Sequence, residues 1–251
     1  MLNHPTLDKL KQLRLHAMVH ALKEQSENAS IHAFSFEERL SLLVDIEITS
    51  RDNQRLEQRL RKAKMKHPAC VEDIDYATPR GLDKSLLLSL TQGQWVKAHQ
   101  NILIVGPTGT GKTFLGCALA HKACLLGYTS RYYRLPRLLA DLQLSKGDGR
   151  YARLLNELSK VDVLLLDDFG LTPFSDEDAR NLLEIVDERH EKHATLFTSQ
   201  LPVKLWHETI GNGTLADAIL DRLIHHAHRV EMQGESLRKK RANLTQEVKS
   251  R

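Results

Sequence analysis

The chain has 251 residues, enough for one full hydrophobic core plus a smaller appended unit, and its 41% hydrophobic content is ordinary for a water-soluble protein. No apolar run approaches the ~18 residues that a membrane span needs, and Met1–Pro5 lacks the charged-then-apolar layout of a signal peptide. These features argue against a membrane partner and predict a cytoplasmic protein; Cys70, Cys117 and Cys124 lack metal-ligand spacing, and Cys117 and Cys124, seven apart on one predicted helix, are expected to be buried thiols.

Residues 1–67 read as two helices with no strand signal. Thr6 can cap the first, which carries Leu7, Leu10, Leu13, Ala17 and Ala21 on one side. Ser35-Phe36-Glu37-Glu38 has the form of a capping box opening a long second helix through Leu40, Leu43, Val44 and Ile48, with Pro68 as its terminator. Arg51, Arg55 and Arg59 recur every four residues and share one face. Two helices bury little surface alone, so the unit is expected to lean on the remainder or on another subunit. The net charge is +4 but unevenly spread, with basic runs at 51–66, at 131–153 and at Arg238-Lys239-Lys240-Arg241. Each run alone is a solvated face as readily as a binding surface; three together point to a polyanion, nucleic acid above all.

From about residue 100 the pattern alternates strand and helix, the signature of a parallel sheet covered on both faces. Strands are predicted at 101–105, 129–133, 161–166, 194–199 and 228–231, and helices near 113–126, 136–144, 150–159, 176–190, 203–210 and 215–226. Between the first strand and its helix lies Gly106-Pro107-Thr108-Gly109-Thr110-Gly111-Lys112-Thr113, a full match to the phosphate-loop pattern. The glycines let successive N–H groups turn inward around phosphates, and the helix N-terminus adds positive potential. Lys112 is expected to reach the β- and γ-phosphates and Thr113 to ligand Mg²⁺. The chain is expected to bind a nucleoside triphosphate.

Two helices between the second and third strands are one more than a crossover needs, and they carry much of the run at 131–153. The third strand ends Val163-Leu164-Leu165-Leu166-Asp167-Asp168. Ligands gather at strand C-terminal ends in such sheets, so Asp167 is expected to hold Mg²⁺ through its water shell and Asp168 to act as general base on the attacking water. Taken alone the motif is also compatible with a turn; its position about fifty residues after the phosphate loop favours the catalytic reading. The fourth strand ends Thr198-Ser199-Gln200, where a hydroxyl or amide can orient the water; Ser199 is preferred, and a cap for the helix near Pro202 is the alternative. Trp95 either covers the base or packs in the core. His225, His226 and His228 span a helix-to-strand transition and receive no ligand role.

These motifs, with Leu215-Ala216-Asp217-Ala218-Ile219-Leu220-Asp221-Arg222 and Gly234-Glu235-Ser236-Leu237-Arg238, resemble in order those of the IstB-type transposition helper ATPases of bacterial insertion sequences. The resemblance covers essentially the whole chain. That family is of the AAA+ class and similar to the helicase loader DnaC and the initiator DnaA. The resemblance implies an α/β AAA+ P-loop NTPase domain at 68–251 with a five-stranded parallel sheet; in a departure from the family pattern, its C-terminal lid is expected to be reduced or absent. A helical N-terminal domain at 1–67 precedes it, for oligomerisation or partner contact. It further implies an ATPase using ATP and Mg²⁺ that assembles as a ring or helical homo-oligomer on double-stranded DNA and assists the transposase of its insertion sequence. A DnaC-like loader acting on single strands and a replicative helicase is the alternative.

By the same resemblance Arg222 matches the arginine finger that reaches a neighbouring subunit's γ-phosphate; an ion pair with Asp217 or Asp221 is the plainer reading. Arg189 is a second candidate for an intersubunit contact. The helix at 136–144 looks like the insertion with which initiators touch DNA, which makes Arg134, Arg137, Arg150 and Arg153 the candidate DNA contacts, the stripe Arg51, Arg55 and Arg59 being the weaker set. Asp168 stands where most AAA+ proteins carry Glu, and only about twenty residues follow the last strand, too few for the usual lid; Arg238 either replaces the second sensor arginine or contacts DNA.

Overall fold

The computed structural model describes residues 5–237 and divides into two compact units, Met1–Gln58 and Arg59–Arg251. The first unit contains helices α1 (Pro5–Gln12) and α2 (His16–Glu27), a 3-10 turn (Ala29–Ala33) and most of α3 (Phe36–Ala63). The single first helix expected from the sequence is thus two helices. Arg14 takes φ 58°, and the Leu15 and Arg14 N–H groups close back onto the Leu10 and Lys11 carbonyls. That is a Schellman end on a residue that is not glycine, which periodicity cannot reveal.

The capping box opening α3 is present: Glu38 N–H donates to Ser35 Oγ (3.2 Å) and Ser35 N–H to Glu38 Oε2 (2.8 Å). The helix stops at Ala63, with Lys64 at φ 50°, so a left-handed residue ends it before Pro68 is reached. In the first unit Glu47 accepts from Met18 N–H (3.0 Å) and Arg51 Nε (2.8 Å), while Arg55 pairs with Asp52.

The second unit adds α4 (Lys84–Thr91), capped by Asp83, and α5 (Gln94–Lys97), neither expected from the sequence. The alternating part follows: β1 (Asn101–Val105), α6 (Lys112–Leu125), β2 (Ser130–Arg134), α7 (Leu135–Gly147), α8 (Tyr151–Ser159), β3 (Val163–Phe169), α9 (Asp176–Arg189), β4 (Ala194–Ser199), a 3-10 turn (Val203–Leu205), α10 (Trp206–Ile210), α11 (Gly213–Ile224) and β5 (Ala227–Glu231). All pairings are parallel, in the order β2-β3-β4-β1-β5. The five predicted strands are therefore present, and β3 runs on through both acids to Phe169.

Strand alternation sends side chains to two cores. Ile102, Ile104, Val163, Leu165 and Leu196 face α6 and the segment before β1, where Trp95 is buried with Nε1 donating to Leu90 O; Trp95 is a core residue. Leu103, Val105, Leu164, Leu166 and Phe197 face α7 to α11. On that side Phe169 stacks on Trp206 (4.0 Å between centroids) and meets Phe174 and Phe197 edge-on, which clamps the end of β3.

Arg189 is buried, not available to another subunit. Its guanidinium donates to Thr195 Oγ1 and to the Leu158, Val161 and Ala194 carbonyls, stitching the N-terminal ends of β3 and β4 to α8. Burial pushes its pKa down to about 9. Arg238, the basic run after it and most of any lid lie outside the described residues. Replacing Arg189 by Met strands several buried acceptors, each costing about 1–3 kcal/mol. Arg189→Met is expected to lower stability by at least about 3 kcal/mol in urea melts; a loss below about 1 kcal/mol would mean water replaces the guanidinium.

Candidate functional site

The C-terminal ends of the strands border a cleft of about 1400 Å³ lined by Thr108, Gly109, Gly111, Lys112 and Thr113 on one side and by Tyr132, Arg134, Arg137 and Asp168 on another. The phosphate loop leaves β1 under tight steric constraint. At Gly106 (φ 151°) an added Cβ would stand 2.2 Å from Met232 O, and at Gly109 (φ 81°) one would stand 2.1 Å from Ser236 Oγ. Glycine is thus required where the chain after β5 closes over the loop, a closure completed by Leu237 N–H on Gly109 O (3.0 Å) and Met232 N–H on Val105 O (2.7 Å). Lys112 Nζ donates to Pro107 O at 2.7 Å.

Asp167 is the centre of the site. It is fully buried, and donors from four segments converge on it. Oδ1 accepts from Thr113 Oγ1 (2.8 Å), the first turn of α6, and from Thr198 Oγ1 on β4. Oδ2 accepts from Tyr132 OH (2.9 Å) on β2 and from Lys66 Nζ (3.2 Å), three residues past α3. Burial opposes ionisation, but the hydrogen bonds from Thr198, Thr113 and Tyr132 and the Lys66 charge outweigh it and hold this carboxyl below the ordinary carboxylate range. Burial and the Asp167 charge push the Tyr132 phenol well above its usual value. A hard, ionised carboxylate beside a threonine hydroxyl suits Mg²⁺, and the loop's glycine-walled cradle suits phosphate, so the residues present fit a magnesium–triphosphate.

Asp168 leaves this buried cluster. The β3–β4 register shifts between Leu166 and Phe169, and Asp168 takes φ 64°, so a bulge turns its carboxylate into the cleft. There it accepts from Arg134 Nε at 2.7 Å. Arg134, expected on DNA, is therefore in the nucleotide cleft, and Arg137 lines the same cleft. Arg150 and Arg153 stay at the surface, 70% and 82% exposed, paired with Asp148 and Glu157.

Ser199 does not face the acids. Its hydroxyl donates to Phe169 O (2.8 Å) and accepts from Leu201 N–H (3.0 Å), which locks the turn after β4. Thr198 reaches Asp167 instead and also accepts from Asp168 N–H (3.2 Å), and Gln200 lines the cleft. Arg222 lies at the N-terminal end of the strands: its carbonyl receives the Asn101 amide at the start of β1, a strand's length of about 16 Å from the phosphate loop. Its Nε donates to Asp187 at 2.7 Å, on α9, and not to Asp217 or Asp221.

Three participants escaped sequence reasoning. Lys66 falls within the basic run at 51–66, which singles out no one residue, and Tyr132 lies on a strand that carries no motif of its own. Arg80 had no signal: it is buried, donating to Thr110 O and Asp75 O, and bridges the cleft wall at 73–82 to the phosphate loop.

Removing the Lys112 ammonium is expected to weaken binding of a fluorescent ATP analogue about 10- to 100-fold, as for one charged hydrogen bond or more. Lys112→Ala with parental affinity would take that side chain off the phosphates.

Residues 8–245 match the family described as IstB-like ATP binding protein. The insertion sequence ATP-binding protein y4pL of Sinorhizobium fredii (strain NBRC 101917 / NGR234) is 50% identical over 239 residues, covering 95% of this chain and 98% of the relative. Among solved structures, DnaI superposes with a TM-score of 0.58 at 24% identity, over 66% of this chain and 91% of that one. The replication initiator DnaA bound to AMPPCP and single-stranded DNA gives 0.53 at 20% identity, over 73% and 56%. These two likenesses show a shared fold. With the phosphate loop, the Thr113–Asp167 pair and the match over nearly its whole length, the chain belongs to the IstB-like ATP-binding proteins of insertion sequences.

Proposed function

We propose that the protein is an ATPase that assembles on duplex DNA in the cytoplasm and assists the transposase of its insertion sequence, with Mg²⁺ as cofactor. The observation that carries the ATPase reading is the division of labour between neighbouring acids. Asp167 is buried and held ionised beside Thr113, where it would hold the metal, while Asp168 is turned by the bulge into the same cleft. There it can take a proton from water attacking the γ-phosphate. Thr198, joined to both acids, positions them. The Arg134–Asp168 pair holds the base until a phosphate draws the guanidinium away. The chain's relatives named for insertion sequences support the transposition role.

Arg222 acts between subunits in this reading. It is a strand's length from its own phosphate loop, and its pairing with Asp187 on an exposed helix face is exchangeable. An oligomer in which the N-terminal strand ends of one subunit meet the cleft of the next would deliver it to the γ-phosphate. The row Phe36, Leu40, Val44 and Ile48 on α3, 40–72% exposed, supports the helical N-terminal part as a contact for a partner or another copy. Hydrolysis is expected to fall about 10³-fold or more in Arg222→Ala and to be lost in Asp168→Asn, with ATP binding kept in both. Mixing the two should restore activity, because some interfaces then pair an intact base with an intact arginine. No rescue after proven co-assembly would rule out action in trans.

Duplex binding is assigned to the α7–α8 corner through Arg150 and Arg153, the two candidates that do not line the cleft. Contacts to phosphates release counterions, about 0.9 per contact in the log–log salt slope. Arg150→Ala with Arg153→Ala should flatten that slope by about 2 and weaken all duplexes alike with ATP present. A parental slope moves DNA to another element, and preferred binding of single strands supports a helicase loader instead.

A further inference from the structure

Lys66 is the ionic partner of the buried Asp167, and it comes from outside the strand-end motifs that form the rest of the site. The end of α3 and the residues directly after it are pinned to α6 and β2 at three points. Arg59 Nε donates to Cys124 O (3.1 Å), Arg131 Nη1 donates to Lys62 O (2.6 Å), and the backbone N–H groups of His67 and Lys66 point at the Cys117 thiol. This anchoring, with the left-handed turn at Lys64, aims the Lys66 stem into the cleft. Its ammonium shares Asp167 Oδ2 with the Tyr132 hydroxyl, while Thr113 and Thr198 fill Oδ1.

Both oxygens of Asp167 therefore carry two donors, and a metal's water shell needs an acceptor on the same carboxylate. The four donors differ in how readily they give way. Thr113, Thr198 and Tyr132 are short or rigid side chains set on α6, β4 and β2. Lys66 makes the longest of the distances, 3.2 Å against 2.9 Å for Tyr132, and its side chain is 38% exposed, so its ammonium can withdraw into water at small cost. It is also the donor that competes by charge, since a second cation beside it is repelled.

We propose that Lys66 is a positioning residue that sets the magnesium requirement for nucleotide loading: its ammonium and the hydrated metal compete for Asp167 Oδ2, and loading displaces Lys66. This rests on the reading of Thr113 and Asp167 as the pair that holds the metal. In consequence the segment Lys64–His67, directly after α3, changes its anchorage when the metal–nucleotide binds. The role differs from that of Lys112, which stays on the phosphate loop.

The test is binding of a fluorescent ATP analogue, titrated with Mg²⁺, in the full chain and in Lys66→Met and Lys66→Arg. Met keeps the length of the stem and removes the charge. In Lys66→Met the Mg²⁺ midpoint is expected to fall about fivefold, the effect of one unit charge near 4 Å in a solvent-screened site. Affinity at saturating Mg²⁺ should stay parental, and Lys66→Arg should keep the parental midpoint. A parental midpoint in Lys66→Met overturns the proposal while leaving the metal pair intact. Lower affinity at saturating Mg²⁺ also overturns it, by making Lys66 a ligand of the bound nucleotide. If the parent protein itself binds the analogue independently of Mg²⁺, the reading of Thr113 and Asp167 fails and the proposal falls with it.

Discussion

A carboxylate in the interior of this protein organises the whole strand-end edge. Asp167 is inaccessible to water yet held ionised, and an uncompensated buried charge costs several kcal/mol. It is tolerable only because α6, β2, β4 and the segment after α3 each supply a donor. Those elements consequently have little freedom to shift against one another. The phosphate loop, which opens α6, thereby inherits a fixed position relative to the acids on β3.

The two adjacent acids show how a one-residue irregularity separates functions. In a regular strand, neighbours point to opposite faces, and one of them would enter a hydrophobic core. The bulge and the positive φ of Asp168 free it from that alternation, while the aromatic clamp of Phe169 with Trp206 restores the strand's anchorage one residue later. Asp tolerates this backbone region better than most residues. The arrangement puts a buried acid and a cleft-facing acid side by side, which suits a metal holder and a base.

Much of this was legible in the sequence because it is local. The phosphate-loop pattern implies its own backbone path, and the apolar runs before Gly106 and Asp167 can only be covered strands in a chain that alternates with helices. Capping at Ser35 and Glu38 was equally readable, since donor and acceptor lie three residues apart. The break at Arg14 and the early stop at Lys64 were hidden, because a left-handed turn on arginine or lysine leaves no compositional trace. So were Lys66 and Arg80, whose partners lie 101 and 30 residues away.

The sequence by itself determined the class of fold, the ligand and the chain of motifs that place the protein in its family, since each depends on spacing within one segment. Only the tertiary structure decided which basic and hydroxyl side chains meet the acids. It set Arg134 and Arg137 along the cleft and Arg150 and Arg153 outside it. It turned Thr198 toward Asp167 and Ser199 to the backbone, buried Arg189, and set Arg222 at the opposite end of the strands. The reason is geometric: charge and hydroxyl content are readable residue by residue, but a side chain's partner depends on strand register, helix phase and the crossing of segments far apart in the chain.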